Sequence, residues 1–577
     1  MRTTGTGSRS QRLAGALALL TALAATADAK LPSCRRACRN LQTNCIDVAH
    51  EALTAERDGC AADAATARTC RRTARGTFRK ARTACGGLVR RSCRPCCKLG
   101  GPNECAKSAG FALGAEPQEQ GDAPRGRDIL LNGDYMTCGV PFQLWTQDIA
   151  PLKEFIANGF AGSADAPRIP GRQGPNADMP YFLNVFTTPG GVEVINANCL
   201  MCHGGTFDGE LVIGLGNATA NFTRGAGGVA GNVPLTDTLL DALGLSAPEK
   251  TELRKIAARA AILAPPTMMR TIGMNPAEML AVILMVHHDR DTLAFSEAEV
   301  TPVVFRDAAG VAIPDPRVTS DPPPWWRVHK KNALFYNGMA RGDHRGTMAL
   351  ATSVCVDDVP RAEQVDALFK DIQAFVASVE APRYTRPVDG ARAEQGHELF
   401  LRDCAGCHGT YGASEAEDTY PNLLVPLDVI GTDPVVANAG VIHAPELVQW
   451  YNLSFYGGIT RMVPDDPFPG YMPPPLDGIW ATAPYLHNGS VPTVELVLNS
   501  RARPPLWRRR DLDSRNFDAD ALGWPWDAVA SIESVPGAER NLVYDTTFFS
   551  QSNAGHTFGD HLTDDERRAV LEYLKTL

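Results

Sequence analysis

The sequence predicts a mainly α-helical protein with long loop insertions, built as two similar domains behind a small disulfide-rich helical module. Three observations predict it. Ten of the 16 cysteines crowd between Cys34 and Cys105. Two blocks, closing near residues 379 and 577, each end on an amphipathic helix. One five-residue cysteine–histidine pattern occurs twice in the remainder. Length supports the division, because 577 residues exceed what one core can organise. Composition is that of a globular chain, 44% hydrophobic and 21% charged, and the 52 Gly and 42 Pro call for many loops.

Residues 1–29 read as a secretory signal. Arg2, Arg9 and Arg12 precede the apolar run 13–25, and Ala27-Asp28-Ala29 offers small residues for cleavage before Lys30. The run is short for a bilayer span, and a retained anchor is the alternative. The mature chain is expected to be periplasmic or secreted, without a membrane span, where disulfides persist. Residues 30–110 form the cysteine-rich module: Cys34, Cys38, Cys45, Cys60, Cys70, Cys85, Cys93, Cys96, Cys97 and Cys105. The first three share a helical face. Few large apolar residues accompany them, so disulfides have to supply the stability. A zinc site is the alternative, with His50 the one histidine at hand.

Residues 30–109 carry 17 Lys and Arg against 6 Asp and Glu, in a chain of net charge −9, so a basic arm precedes an acidic body. No nucleic-acid partner is expected outside the cytoplasm, and the arm reads as a solvated face. Cys138 and Cys355 remain outside the module and the motifs, an even remainder that could pair.

Domains are expected at 111–386 and 387–577, divided in "EAPRYTRPVDG" (380–390). Before that boundary, Leu368, Ile372, Phe375, Val376 and Val379 fall at helical spacing. At the C-terminal end Val570, Leu571, Leu574 and Leu577 do the same, after a Thr563–Glu566 capping box. The like endings hint at internal duplication. "RGAGGVAG" (224–231) follows no strand–helix signature and reads as a loop.

The repeated pattern carries the chemistry. It is Cys199-Leu200-Met201-Cys202-His203 and Cys404-Ala405-Gly406-Cys407-His408. Two cysteines three apart reach both vinyl groups of one haem, and the adjacent histidine faces the iron. A zinc half-site would not need that histidine, and a dithiol motif would need a thioredoxin-like setting. Two covalently bound haem c groups follow, in two cytochrome c-type haem domains. Cys199, Cys202, His203, Cys404, Cys407 and His408 are the attachment residues. "RAEQGHELFLRDC" reads as a helix before the second motif, with Gly396 admitting a partner helix and Phe400 packing beside Tyr573. "TTPGGVEVINANC" before the first motif reads as a turn and strand.

Further stretches carry a resemblance: "LLNGDYMTCGVPFQLW" (130–145), "NCLMCHGGTFDGELVIGLGN" (198–217), "PPPWWRVHKKNALFYNG" (322–338), "GIWATAPYLHNGSVPTVELVL" (478–498) and "SNAGHTFG" (552–559). With the motifs, they resemble the di-haem bacterial cytochrome c peroxidase superfamily, and within it the rubber oxygenase-like branch. The resemblance implies an open, oxidant-binding haem on His203 and an electron-relay haem between His408 and His556. Met472 is the rival to His556. His487 lies in the shared loop, as a haem-propionate contact or a structural histidine. Trp325, Trp326, Phe335 and Tyr336 are pocket or redox candidates, with core packing as the alternative. His287 or His288 could instead close the first haem. A calcium ion between the domains, found in some peroxidase relatives, is left open.

The expected function is that of an exported di-haem oxidoreductase, peroxidase-type or dioxygen-activating. Its partners would be a small oxidant and an apolar organic substrate or a redox protein. The alternative is a non-catalytic electron-transfer cytochrome with both haems six-coordinate.

Overall fold

Frequent glycines and prolines cut this chain into short pieces, and that decides its class. A computed structural model describes residues 109–577 other than 226–233, 299, 301–302 and 308–309, together with Arg72, Arg75 and Arg79. The expectations for the leader, the cysteine module and most of the 224–231 loop lie outside the described residues. Residues 110–577 gather into one compact unit that holds both CxxCH motifs.

The expectation of a mainly α-helical protein is corrected. Among the described residues helix takes 41% and strand 13%, the strands lying in five small sheets. The strands are two to five residues long. Pieces that short show no sustained alternation of apolar and polar residues, which is why the sequence pattern passed over them.

The elements that position the site are, in order, α1 (Ala123–Asn132), β1 (Val140–Pro141), β2 (Leu183–Thr187), β3 (Glu193–Ala197), β4 (Gly204–Phe207), β5 (Glu210–Ile213), α2 (Val359–Ala377), α3 (Gly390–Asp403), α4 (Val494–Leu498) and α5 (Asp564–Leu574). The turn and strand expected before Cys199 are the β2–β3 hairpin. It runs in register from Leu183 opposite Ala197 to Thr187 opposite Glu193. The Thr188 N–H donates to the Val192 carbonyl at 2.9 Å across the turn, and Gly191 supplies the positive φ of +77°. β1 pairs with the far side of β3. Val194 and Ile195 are fully buried, so β3 is fixed from both edges and both faces as it delivers Cys199.

Two helix pairs complete the frame. α1 crosses α2 at Gly126, where a Cβ would lie 1.8 Å from the Asp371 carbonyl oxygen. α3 crosses α5 at Gly396, where a Cβ would lie 1.9 Å from the Ala569 oxygen. Phe400 meets Tyr573 there, ring centres 5.1 Å apart, as the sequence led us to expect. The Thr563–Glu566 capping box opens α5. No helix among the described residues is long and apolar enough to cross a membrane.

Cys138 and Cys355 form a disulfide across 217 residues of sequence, and both are buried. The Asn196 amide donates to the Cys138 carbonyl at 2.7 Å, so the bridge is tied to β3 itself. Closing so long a loop restricts the unfolded chain strongly. Cys138→Ala with Cys355→Ala in the full-length protein is therefore expected to cost about 2–5 kcal/mol. Calorimetry would show it as a lowered unfolding midpoint, and an unchanged midpoint would count against the account.

Candidate functional site

The first motif is a single helical turn set on the end of β3. Asn198 organises it. Its carbonyl oxygen accepts from the Leu200 N–H at 2.8 Å, while its amide donates to the Tyr181 carbonyl and to Asn184. The His203 N–H returns to the Cys199 carbonyl at 3.1 Å, closing the turn. The His203 Nδ1 lies 3.0 Å from the Pro323 carbonyl oxygen. A carbonyl only accepts, so Nδ1 carries the proton and Nε2 keeps its lone pair. Burial lowers the His203 pKa to about 4, which keeps the ring neutral at pH 7. The Trp325 indole lies beside it, ring centres 5.4 Å apart.

The second motif repeats the device on another scaffold. α3 leads into Cys404, and the His408 N–H donates to the Cys404 carbonyl at 3.1 Å. His408 Nδ1 lies 2.8 Å from the Pro474 carbonyl, and burial lowers its pKa to about 4. Here a second imidazole faces the first. The His408 and His556 ring centres are 6.3 Å apart, too far for stacking contact. That gap fits one metal ion with two imidazole–metal bonds of about 2 Å. His556 Nδ1 is buried without a hydrogen-bond partner, and burial lowers the ring's pKa to about 3. A neutral, desolvated imidazole pair has the chemistry of an axial ligand set.

None of Cys199, Cys202, Cys404 and Cys407 is in a disulfide. Burial pushes the Cys199 and Cys202 thiols up to about 11 and Cys404 up to about 12. These are reduced thiols next to a histidine in sequence, and thioether attachment to a porphyrin uses reduced thiols. Among the described residues no group of three or more His, Cys, Asp or Glu could hold a bare metal ion. The two thiols outside disulfides and the neutral, Nδ1-protonated histidine of each motif are the donor set that a haem c would use.

The two orienting prolines belong to a repeat that the sequence pattern had not disclosed. "PPPWWRVHKKNALFYNGMA" (322–340) and "PPPLDGIWATAPYLHNGSV" (473–491) align without a gap. The middle proline of each holds a motif histidine. Phe335 and Leu486, at equivalent positions, both adopt φ +63°, and the glycine three residues on donates back to each. The side-chain oxygens of Asn337 and Asn488 accept from the N–H two residues later. Only the three prolines and the Asn-Gly pair are identical, and that sparse match is the signal a periodicity search misses.

Equivalent positions also meet one another. The Trp326 indole N–H donates to the Asp477 carbonyl at 2.8 Å, and the Tyr336 and His487 rings lie 6.2 Å apart. Contacts between equivalent positions are the mark of two-fold pairing, here inside one chain.

The remaining candidates separate. Trp325 and Trp326 are buried at this junction, and half-buried Phe335 shapes its loop. His487 stacks on Tyr471 at 4.2 Å, with its Nε2 3.1 Å from the Tyr471 hydroxyl. Met472 packs with Leu113, Ala333 and Leu424, in a small cluster of its own. His287 Nδ1 is engaged by the Ser296 carbonyl. Both ring nitrogens of His288 lie on carbonyls, of Leu284 and Val356, which leaves neither of them open to a metal. Sequence reasoning also missed Asp321, buried next to Tyr336, whose carboxyl burial pushes well above the usual range.

A family model described as RoxA-like, cytochrome c-like matches residues 470–508, the segment that holds Pro474, the second repeat and Trp507. Two proteins of Sinorhizobium fredii are similar over longer stretches. The uncharacterized protein y4iJ is 28% identical over 248 residues, 33% of this chain and 39% of its own. The uncharacterized protein y4iM is 26% identical over 313 residues, 47% of this chain and 68% of its own. The chain thus spans well under half the length of the first relative.

Burial holds the His487 pKa at about 3, below its ordinary 6.5. As pH falls through 6.5 the unfolded chain takes up a proton that the native ring refuses, so stability is full above pH 6.5 and declines towards pH 3. This histidine's share of the slope is at most about 1.4 kcal/mol per pH unit. Urea midpoints measured from pH 7.5 to 4.5 are expected to fall less steeply in His487→Gln than in the parent, and parallel curves would refute this.

Proposed function

We propose that this chain is an exported c-type cytochrome with two covalent haems, acting as a haem oxidoreductase of the rubber oxygenase-like kind. One haem is attached at Cys199 and Cys202 on His203, the other at Cys404 and Cys407 between His408 and His556. The observation that carries the reading is an asymmetry. His408 has an imidazole facing it at 6.3 Å, whereas among the described residues His203 has none in ring contact and Trp325 lies beside it. A six-coordinate iron relays electrons, and an iron with a vacant face can bind an oxidant. The match over 470–508 supports the cytochrome part of this reading.

Bound haem supplies the redox chemistry, with peroxide or dioxygen as oxidant. The chain's own residues do the rest. Pro323 and Pro474 fix the histidine tautomers, and His556 closes one face. Trp326 joins the two halves through the Asp477 carbonyl. An apolar organic substrate or a redox protein would be the electron donor, and the placement among di-haem peroxidases rests on the shared "APYLHNGSVPT" loop.

The test is maturation in a host competent for haem c attachment. Pyridine haemochrome assay is expected to give two haems per chain, with Cys199→Ser/Cys202→Ser and Cys404→Ser/Cys407→Ser each removing one. EPR is expected to show one low-spin bis-imidazole centre, which His556→Ala turns high-spin without loss of haem. The other centre is expected to be high-spin or oxygen-bound. Absence of covalent haem overturns the proposal, and two inert low-spin centres make the protein an electron carrier. Peroxide, or polyisoprene in air, then separates the two enzymatic reactions.

A further inference from the structure

The His556 loop is an unlikely resting conformation for its residues. His556 has φ +47°, in the left-handed region that a side-chain-bearing residue adopts only when its surroundings impose it. One side is imposed by close packing. The His556 N–H donates to the Ile430 carbonyl at 2.8 Å, and Gly555, at φ +77°, would carry a Cβ 2.1 Å from the Gly431 carbonyl carbon.

The other side is held by Arg503, with the Asn553 amide also donating to the Pro504 carbonyl at 2.9 Å. Arg503 uses its guanidinium entirely on backbone carbonyls. Nε donates to Leu496 at 2.8 Å and Nη2 to Val497 at 2.9 Å. Nη1 donates to Asn553 and Gly555, each at 2.7 Å, and Nη2 also to His556 at 3.2 Å. Two of these acceptors lie in the last turn of α4, where carbonyls lack helical partners and a cation is favoured. The other three are in the ligand loop. Among the described residues no carboxylate hydrogen-bonds the guanidinium, although Asp560 lies near enough to act on its charge. The nearby Asp560 is occupied by the Ser500 N–H and hydroxyl, at 2.8 and 2.7 Å.

We propose that Arg503 is a positioning residue: it clasps the 553–556 loop to α4, holds His556 opposite His408, and places a positive charge next to that ligand. The proposal rests on the two histidines being axial ligands of one haem. Its consequences are structural and electrostatic. A planar fork with five donors reaches both the helix end and the loop, and an ammonium with three donors on a point does not reproduce that span. A positive charge beside the iron favours the reduced state, which carries one positive charge fewer.

The experiment compares full-length holo-protein with Arg503→Met and Arg503→Lys. The pyridine haemochrome count is expected to remain at two in both, because neither variant touches an attachment cysteine. In Arg503→Met most of the low-spin bis-imidazole EPR signal is lost, and added imidazole restores it at concentrations that leave the parent's second haem unchanged. The reduction potential of that haem, measured in the imidazole-restored form, falls in Arg503→Met and stays near the parent value in Arg503→Lys. A full low-spin signal together with an unshifted potential in Arg503→Met overturns the proposal. Should Arg503→Met not fold, Arg503→Lys still decides, since an undiminished low-spin signal there refutes the need for the fork. A parent protein without two haems refutes the underlying reading instead.

Discussion

A carbonyl oxygen facing the Nδ1 of each motif histidine is the constraint on which the rest of this structure depends. The carbonyls of Pro323 and Pro474 can only accept, so both imidazoles are fixed as Nδ1–H tautomers with their Nε2 lone pairs turned away. Proline suits the role. Its ring fixes φ, and it brings no N–H that would seek a partner in a buried place. Three in a row stiffen the approach, so the carbonyl is aimed by the chain's own covalent geometry. The histidines could then be delivered by quite different elements, one on the end of a hairpin and one on the end of a helix.

That division explains why the two halves look so unlike while sharing one orienting segment. The repeats at 322–340 and 473–491 meet across Trp326–Asp477 and Tyr336–His487, and a buried core surrounds them. The differences then lie where function would place them. Tyr336 stands where the other copy has His487, and Phe335 where it has Leu486. Among the described residues, only the second half adds a left-handed loop that carries another imidazole. A shared frame with one added imidazole gives two like motifs unlike surroundings.

Much of this was legible in the residues. The paired CxxCH motifs stand out because their chemistry is local in sequence. The α3–α5 crossing was legible because Gly396 lies on a face that also carries Phe400, and the capping box marked where α5 begins. Cys138 and Cys355 were a remainder, and the structure joins them. The fold class was not legible, since strands of two to five residues leave no pattern and their pairing is set by distant partners. The orienting carbonyls were invisible for another reason: every residue has one. Arg503 carries no motif, because its five acceptors are backbone atoms from two separate segments.

The crossing of α3 with α5 also fixes an order of events. Gly396 packs on Ala569 and Phe400 on Tyr573, so the helix that presents Cys404 cannot be buttressed until residues near the far end of the chain exist. The first motif waits for less of the chain: β1, β2 and Asn198 precede or adjoin it, and Pro323 and Cys355, which complete its setting, both come before Cys404. During synthesis from the N-terminal end, every segment that holds the hairpin-borne cysteines therefore exists well before the one that buttresses the helix-borne pair.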